Sequence, residues 1–253
     1  MNDLKTNYEV VAIGNIQMRA IQDSQIDKIL DRNRDTIEEI WRKAQEERGG
    51  KLFNGTLPNF IRIVRERAGG IEIISHFIEY KQFLAQRKEP ALKLGIKPIG
   101  VSGIIILEDK DNKWMVFAKR ADNITEYPGF LELVPSGSID RECANANARG
   151  VVDYRSKLLS EFVEETDLSK EYVKKISGFA FVLDINHNVY DICCEILLET
   201  EKELVAQKFS SKEYNAPVFI AVNDLDSFIK VNIGSIVPTS MALIEAYKCK
   251  KRA

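Results

Sequence analysis

The run Val101-Ser102-Gly103-Ile104-Ile105-Ile106-Leu107-Glu108 constrains this chain more than any other stretch. It is short, almost unbroken in its apolar residues and rich in isoleucine, which predicts a buried strand. A second strand follows from Trp114 to Arg120 and ends on two cations, Lys119 and Arg120. The chain then closes a loop on Pro135-Ser136-Gly137-Ser138 and enters a helical pattern. An order of strand, strand, glycine turn and helix points to an α/β protein in which the turn aims the helix at the strand ends.

That helix carries Glu161, Glu164 and Glu165. Carboxylates at i, i+3 and i+4 lie side by side on one helix face. Such like charges repel unless a cation lies between them, and an all-oxygen set favours a hard ion, Mg²⁺ or Mn²⁺. A solvated acidic face is the competing reading of the triplet alone.

Ser160-Glu161-Phe162-Val163-Glu164-Glu165-Thr166-Asp167-Leu168, preceded by Gly137, resembles the second half of the Nudix box, G-x5-E-x7-R-E-U-x-E-E-x-G-U, where U is a bulky aliphatic residue. The three glutamates and the apolar positions Phe162 and Leu168 match. Ser160 stands in place of the Arg, Asp167 in place of the Gly and Val152 in place of the upstream Glu, and the spacing from Gly137 to Glu161 is nine residues longer than the box. Further pieces resemble the divergent Nudix branch that hydrolyses UDP-sugars. They are the Trp41 helix leading to Leu52-Phe53-Asn54-Gly55, Tyr80-Lys81-Gln82-Phe83-Leu84, Leu94-Gly95-Ile96-Lys97-Pro98 and Val101-Ser102-Gly103.

The resemblance implies an α/β/α sandwich (residues 96–253) behind an N-terminal α+β extension (residues 1–95) packed on it. It implies that Glu161, Glu164 and Glu165 ligate the metal ion, that Glu161 also orients or deprotonates water, and that a Ser136 or Gly137 carbonyl adds a ligand. An ordinary glycine turn is the alternative for the last of these. Glu195 follows Ile192-Cys193-Cys194 in an apolar strand, where an uncompensated charge is costly. It is therefore a candidate late metal ligand or base, with a structural ion pair as the other reading. Arg120 is the candidate diphosphate clamp, because a guanidinium fork suits a diphosphate. Lys119 is its neighbour on the same path, and surface solvation is the alternative for both. Tyr127, Phe130, Phe179, Phe181 and Tyr190 are available to stack on a base, although aromatics in strands are more often core. The reaction implied is hydrolysis of a nucleoside diphosphate linked to another moiety, foremost a UDP-sugar such as UDP-glucose, to UMP and sugar 1-phosphate. A nucleotide-binding protein of the same fold without turnover is the alternative.

The rest of the chain fits that plan. Tyr8 to Ile13 predicts a strand, and Ser24 an N-cap for a helix to about Arg48 that ends at Gly49-Gly50. Asn59 to Arg67 and Ile71 to Ile78 predict a hairpin across Ala68-Gly69-Gly70. Glu79 to Gln86 predicts a short helix, with Lys88-Glu89-Pro90 as a linker. Lys174 to Asp184 and Val189 to Glu199 predict a hairpin, Pro217 to Val222 a strand, and Asp224 to Lys230 and Pro238 to Tyr247 helices. Arg141 to Asp153 is expected to lengthen the loop or the front of the glutamate helix.

With 36 basic against 38 acidic residues, the charge balance gives no electrostatic case for nucleic acid or a membrane surface. No stretch approaches the roughly 20 apolar residues of a spanning helix, and the first eight residues lack a signal-peptide core. The expectation is a cytoplasmic protein acting on a small molecule, with its oligomeric state open. Cys143, Cys193, Cys194 and Cys249 contain no C-x-x-C pair and read as reduced thiols, with zinc or redox roles as the alternative. His76 and His187 read as satisfied surface or hairpin histidines.

Overall fold

A computed structural model describes residues 7–65, 69–109, 112–124, 127–145 and 149–252. Strand β1 (Tyr8–Ile13) is followed by β2 (Asn15–Ala20), the helices α1 (Ser24–Arg32) and α2 (Arg34–Glu47), the hairpin β3 (Thr56–Arg65) and β4 (Gly70–Glu79), and α3 (Tyr80–Lys88). Next come β5 (Ile99–Asp109), β6 (Asn112–Arg120), the short β7 (Leu131–Leu133) and β8 (Ser136–Ser138), β9 (Ala144–Asn145), β10 (Val151–Val152) and the glutamate helix α4 (Tyr154–Thr166). The chain closes with the hairpin β11 (Val173–Asp184) and β12 (Val189–Glu199), then α5 (Lys202–Lys208), β13 (Tyr214–Ala221), α6 (Leu225–Asn232) and α7 (Pro238–Arg252).

The central sheet runs β1-β11-β12-β5-β6-β13, with β8 on β5 and β7 on β6. Strand β5 lies near its middle, parallel to β12 and antiparallel to β6. Both of its faces are covered, which is why its apolar run does not alternate. On one face Phe117, Cys193 and Ala180 pack with Leu243, Ile244 and Tyr247 of α7 and Leu225 and Ile229 of α6. On the other, Val101, Ile105, Ile192, Cys194 and Ile196 pack with Leu158 and Phe162 of α4. The result is an α/β/α sandwich, as expected. Cys193 and Cys194 take opposite faces, as the pleat dictates.

The second sheet runs β3-β4-β2-β10-β9 and lies on the α4 side, where Ile16, Met18, Ile71 and Ile73 join the same core as Phe162. The helices α1 to α3 cover its far side through Leu30, Ile37 and Phe83, which pack with Ile78 of β4. Residue 95 divides neither sheet cleanly. Strand β1 belongs to the central sheet, where it pairs with β11, and β10 from beyond residue 95 pairs Val151 with Arg19 of β2. The expectation for Arg141–Asp153 changes accordingly, because part of this stretch forms β9 and β10 at the edge of the second sheet.

The helix expected from Ser24 to Arg48 is two helices broken at Asn33, and its N-cap is Asp23, whose carboxylate accepts from the Gln25 and Ile26 amides. Ala68, placed in the hairpin turn, lies outside the described residues. His76 is buried rather than superficial, with Asp27 3.0 Å from Nε2, whereas His187 sits in the β11–β12 turn, 2.8 Å from Asp184. Among the described residues no helix is long and apolar enough to cross a membrane.

Candidate active site

Helix α4 starts on Asp153, whose side chain accepts from the Ser156 amide, and buries Leu158 and Phe162 against the sheet. That burial fixes the rotation of the helix, and the face carrying Glu161, Glu164 and Glu165 is left towards the end of β8. The helix ends at Asp167, whose φ of 57° is left-handed. Glycine is the usual residue there, but Asp tolerates the conformation, so Asp167 supplies the left-handed turn that ends the helix.

The turn and the helix touch. A Cβ added to Gly137 would lie 2.6 Å from the Glu161 carboxylate, so any larger residue there would displace the Glu161 side chain. The Ser136 amide donates to Glu165 Oε1 at 3.0 Å. Glu161 also pairs with Lys157 Nζ at 2.7 Å, one helical turn earlier, and Ser160 donates to Glu164 at 2.9 Å. The ion pair with Glu161 raises the pKa of Lys157.

Glu165 sits in a buried setting among other carboxylates. Burial, reinforced by Glu161, Glu213 and Glu132 and opposed by the Ser136 amide, pushes its carboxyl up to about 7. Together with Ser136, Asp167, Lys212 and Glu213, the three helix glutamates line a cleft of about 710 Å³. Five carboxylates around one cleft make an all-oxygen donor set of the kind hard divalent ions take. In the conformation present each helix glutamate is turned to a protein partner, and among the described residues no three acidic, thiol or imidazole side chains converge on one point. The donor chemistry thus fits a divalent ion, which would draw the carboxylates away from these partners.

Sequence reasoning missed two residues here, Tyr214 and Glu132. The buried Tyr214 hydroxyl lies 3.0 Å from Glu132 and 3.4 Å from Glu165. Glu132 in turn pairs with Arg120, which carries the glutamate cleft's polar network into an adjoining cavity of about 390 Å³. Arg120, Glu132, Ser136, Gly137 and Asp191 line that cavity. The side chain of Ser102 donates to Asp191, yet burial, with a further push from Asp184, raises the Asp191 carboxyl to about 7.

The structure does not bring Lys119 or Glu195 to this place. Lys119 is exposed and lines neither cavity. Glu195 faces the α7 side of β12, opposite α4, where Lys250 Nζ lies 3.0 Å away. Its compensating cation is therefore a lysine, and the expectation that the α4 cluster provides it is corrected by the pleat of β12. Of the candidate stacking aromatics, Phe179, Phe181 and Tyr190 are core residues, whereas Tyr127 lines the adjoining cavity. Trp41 and Tyr80 meet edge to face at 6.2 Å in the helical layer of the second sheet, and Phe53 is exposed. None of these three lines either cavity.

No family model and no curated protein matches the chain. Among solved structures it is similar to the NUDIX domain of Shewanella oneidensis NrtR complexed with ADP ribose, at 14% identity and a TM-score of 0.39 over 59% of this chain and 85% of that one. It is similar to a C. elegans Ap4A hydrolase at 11% identity and a TM-score of 0.35, over 60% of this chain and 95% of that one. A bifunctional NMN adenylyltransferase/ADP ribose pyrophosphatase from Francisella tularensis shares 15% identity at a TM-score of 0.39, over 65% of this chain and 47% of that one. These are distant likenesses, and no residue role is carried across from them.

Proposed function

We propose that this protein is a Nudix-type hydrolase of a nucleoside diphosphate linked to a second moiety, NDP-X + H₂O → NMP + X-phosphate, with a UDP-sugar such as UDP-glucose as the leading substrate. The observation that carries this reading is the closure of Glu161, Glu164 and Glu165 on the Ser136–Gly137 turn in a cleft lined by five carboxylates. On this reading Glu161, Glu164 and Glu165, with a carbonyl at Ser136 or Gly137, hold Mg²⁺ or Mn²⁺. A bound ion would supply charge neutralisation on the diphosphate and would acidify water. Arg120, oriented by Glu132, meets a phosphate from the adjoining cavity. Lys157 supplies the positive charge beside Glu161 that the Arg of the box would have supplied. The helix glutamates accept the proton of the attacking water.

The second reading, a binder without turnover, is favoured by the divergence of the three carboxylates towards Lys157, Ser160 and Tyr214. Monophosphate release from a panel of nucleotide sugars and dinucleotides, with and without Mg²⁺, separates the two. Hydrolysis predicts UMP from UDP-glucose faster than AMP from ADP-ribose, abolished by chelation and lowered at least about a hundredfold in Glu164→Gln or Glu165→Gln. Binding of the same ligands with no release establishes the binder.

A further inference from the structure

The adjoining cavity has a polar floor that the chemistry at α4 does not use. Asp191 lies opposite Gly100 in the β12–β5 pairing, and a Cβ on Gly100 would meet Asp191 Oδ1 at 2.8 Å. The absent side chain lets the carboxylate lie over β5, where Ser102 donates to it. A carboxylate has about four acceptor positions, and Ser102 is the one side-chain donor to it among the described residues, which leaves most of that capacity open to a guest. Among the described residues the charge that bears on it is Asp184, another anion. Burying such a group is unfavourable unless donors arrive to meet it.

Resting on the nucleotide reading above, we propose that Asp191 determines the specificity for the linked moiety X. The cavity takes X as a sugar ring whose hydroxyls donate to the Asp191 carboxylate. The walls match a polyhydroxylated guest better than a base. Ser138, Thr239 and Ser240 add hydroxyls, whereas the aromatic wall residue, Tyr127, is 43% exposed and encloses no stacking slot. The cavity shares Ser136 with the glutamate cleft, so a ring seated over Asp191 leaves its diphosphate at that shared edge. Its volume of about 390 Å³ falls in the usual small-ligand range of roughly 300–1,000 Å³.

The test compares UDP-glucose with UDP by calorimetry in chelator, where hydrolysis does not intervene, and adds saturation-transfer NMR on the hexose protons. Wild-type protein is expected to bind UDP-glucose about tenfold more tightly than UDP and to saturate the hexose protons. Asp191→Ala should bring the two affinities together while leaving that for UDP unchanged, and Ser102→Ala should narrow the gap in part. Equal wild-type affinities, a preference that survives Asp191→Ala, or equal loss of both ligands in the variant each overturns the proposal. A wild-type preference without UMP release in Mg²⁺ leaves this assignment standing and overturns hydrolysis.

Discussion

At the scale of residues, the three α4 glutamates were legible because helical spacing converts sequence distance directly into proximity. Asp191 gave the same signal as Glu195, a carboxylate in an apolar strand on the same face of β12, and only their neighbours separate the pair, Ser102 and the adjoining cavity for one and Lys250 for the other. Glu195→Gln is expected to leave kinetics unchanged and to lower stability by no more than about 1 kcal/mol, since the Lys250 pair is partly solvated. Denaturant titration beside a rate assay checks both halves. A lower rate would return Glu195 to the chemistry. Asp191 makes a pH prediction. Its carboxyl is raised from 3.8 to about 7 in the folded chain, so the fold keeps a proton that the unfolded chain has lost. Its contribution therefore disfavours folding increasingly as pH climbs from about 4 to 7 and is constant above. Ser102 on β5 and Asp184 on β11 are the groups acting on it, and Glu165 adds its own decline in the same window. The difference between Asp191→Asn and wild type isolates Asp191. Relative to wild type, the variant should be more stable at pH 8 than at pH 4, and a pH-independent difference would reject the assignment.

At the scale of elements, period and apolar runs located every strand of the two hairpins and the glutamate helix. They did not locate β2, β7 to β10 or α5, because these are short and gain their order from neighbours rather than from their own patterns. Tyr214 and Glu132 stayed hidden for a related reason, as each reaches the site only through strand pairing with β6. The end of α4 offers a direct check. Asp167→Gly should hold stability within about 0.5 kcal/mol of wild type, whereas Asp167→Val, forced into the left-handed region, should cost about 1–2 kcal/mol. Equal melting temperatures for all three would show that the turn relaxes. The tie between β2 and the segment before α4 is tighter still. Gly150 has φ +79° and a Cβ there would lie 2.2 Å from the Ala20 carbonyl oxygen. Gly150→Ala is expected to destabilise the protein by more than about 1 kcal/mol in the same titration.

At the scale of the whole molecule, the N-terminal portion is woven through both sheets. Residues 96–253 expressed alone would lack β1 against β11 and the Ile16, Met18, Ile71 and Ile73 side chains of the core beneath α4. They should give an aggregating product, seen by size exclusion. A monodisperse, fully active fragment would show the N-terminal portion to be dispensable. The pairings themselves, Tyr8 opposite Asp184 and Arg19 opposite Val151, also set the order of events during synthesis. Strand β1 waits for β11, and one edge of β2 waits for β10, both of which leave the ribosome much later, and closing such long loops slows folding. Until then β1 and one side of β2 are unpaired edges, open to association with other chains.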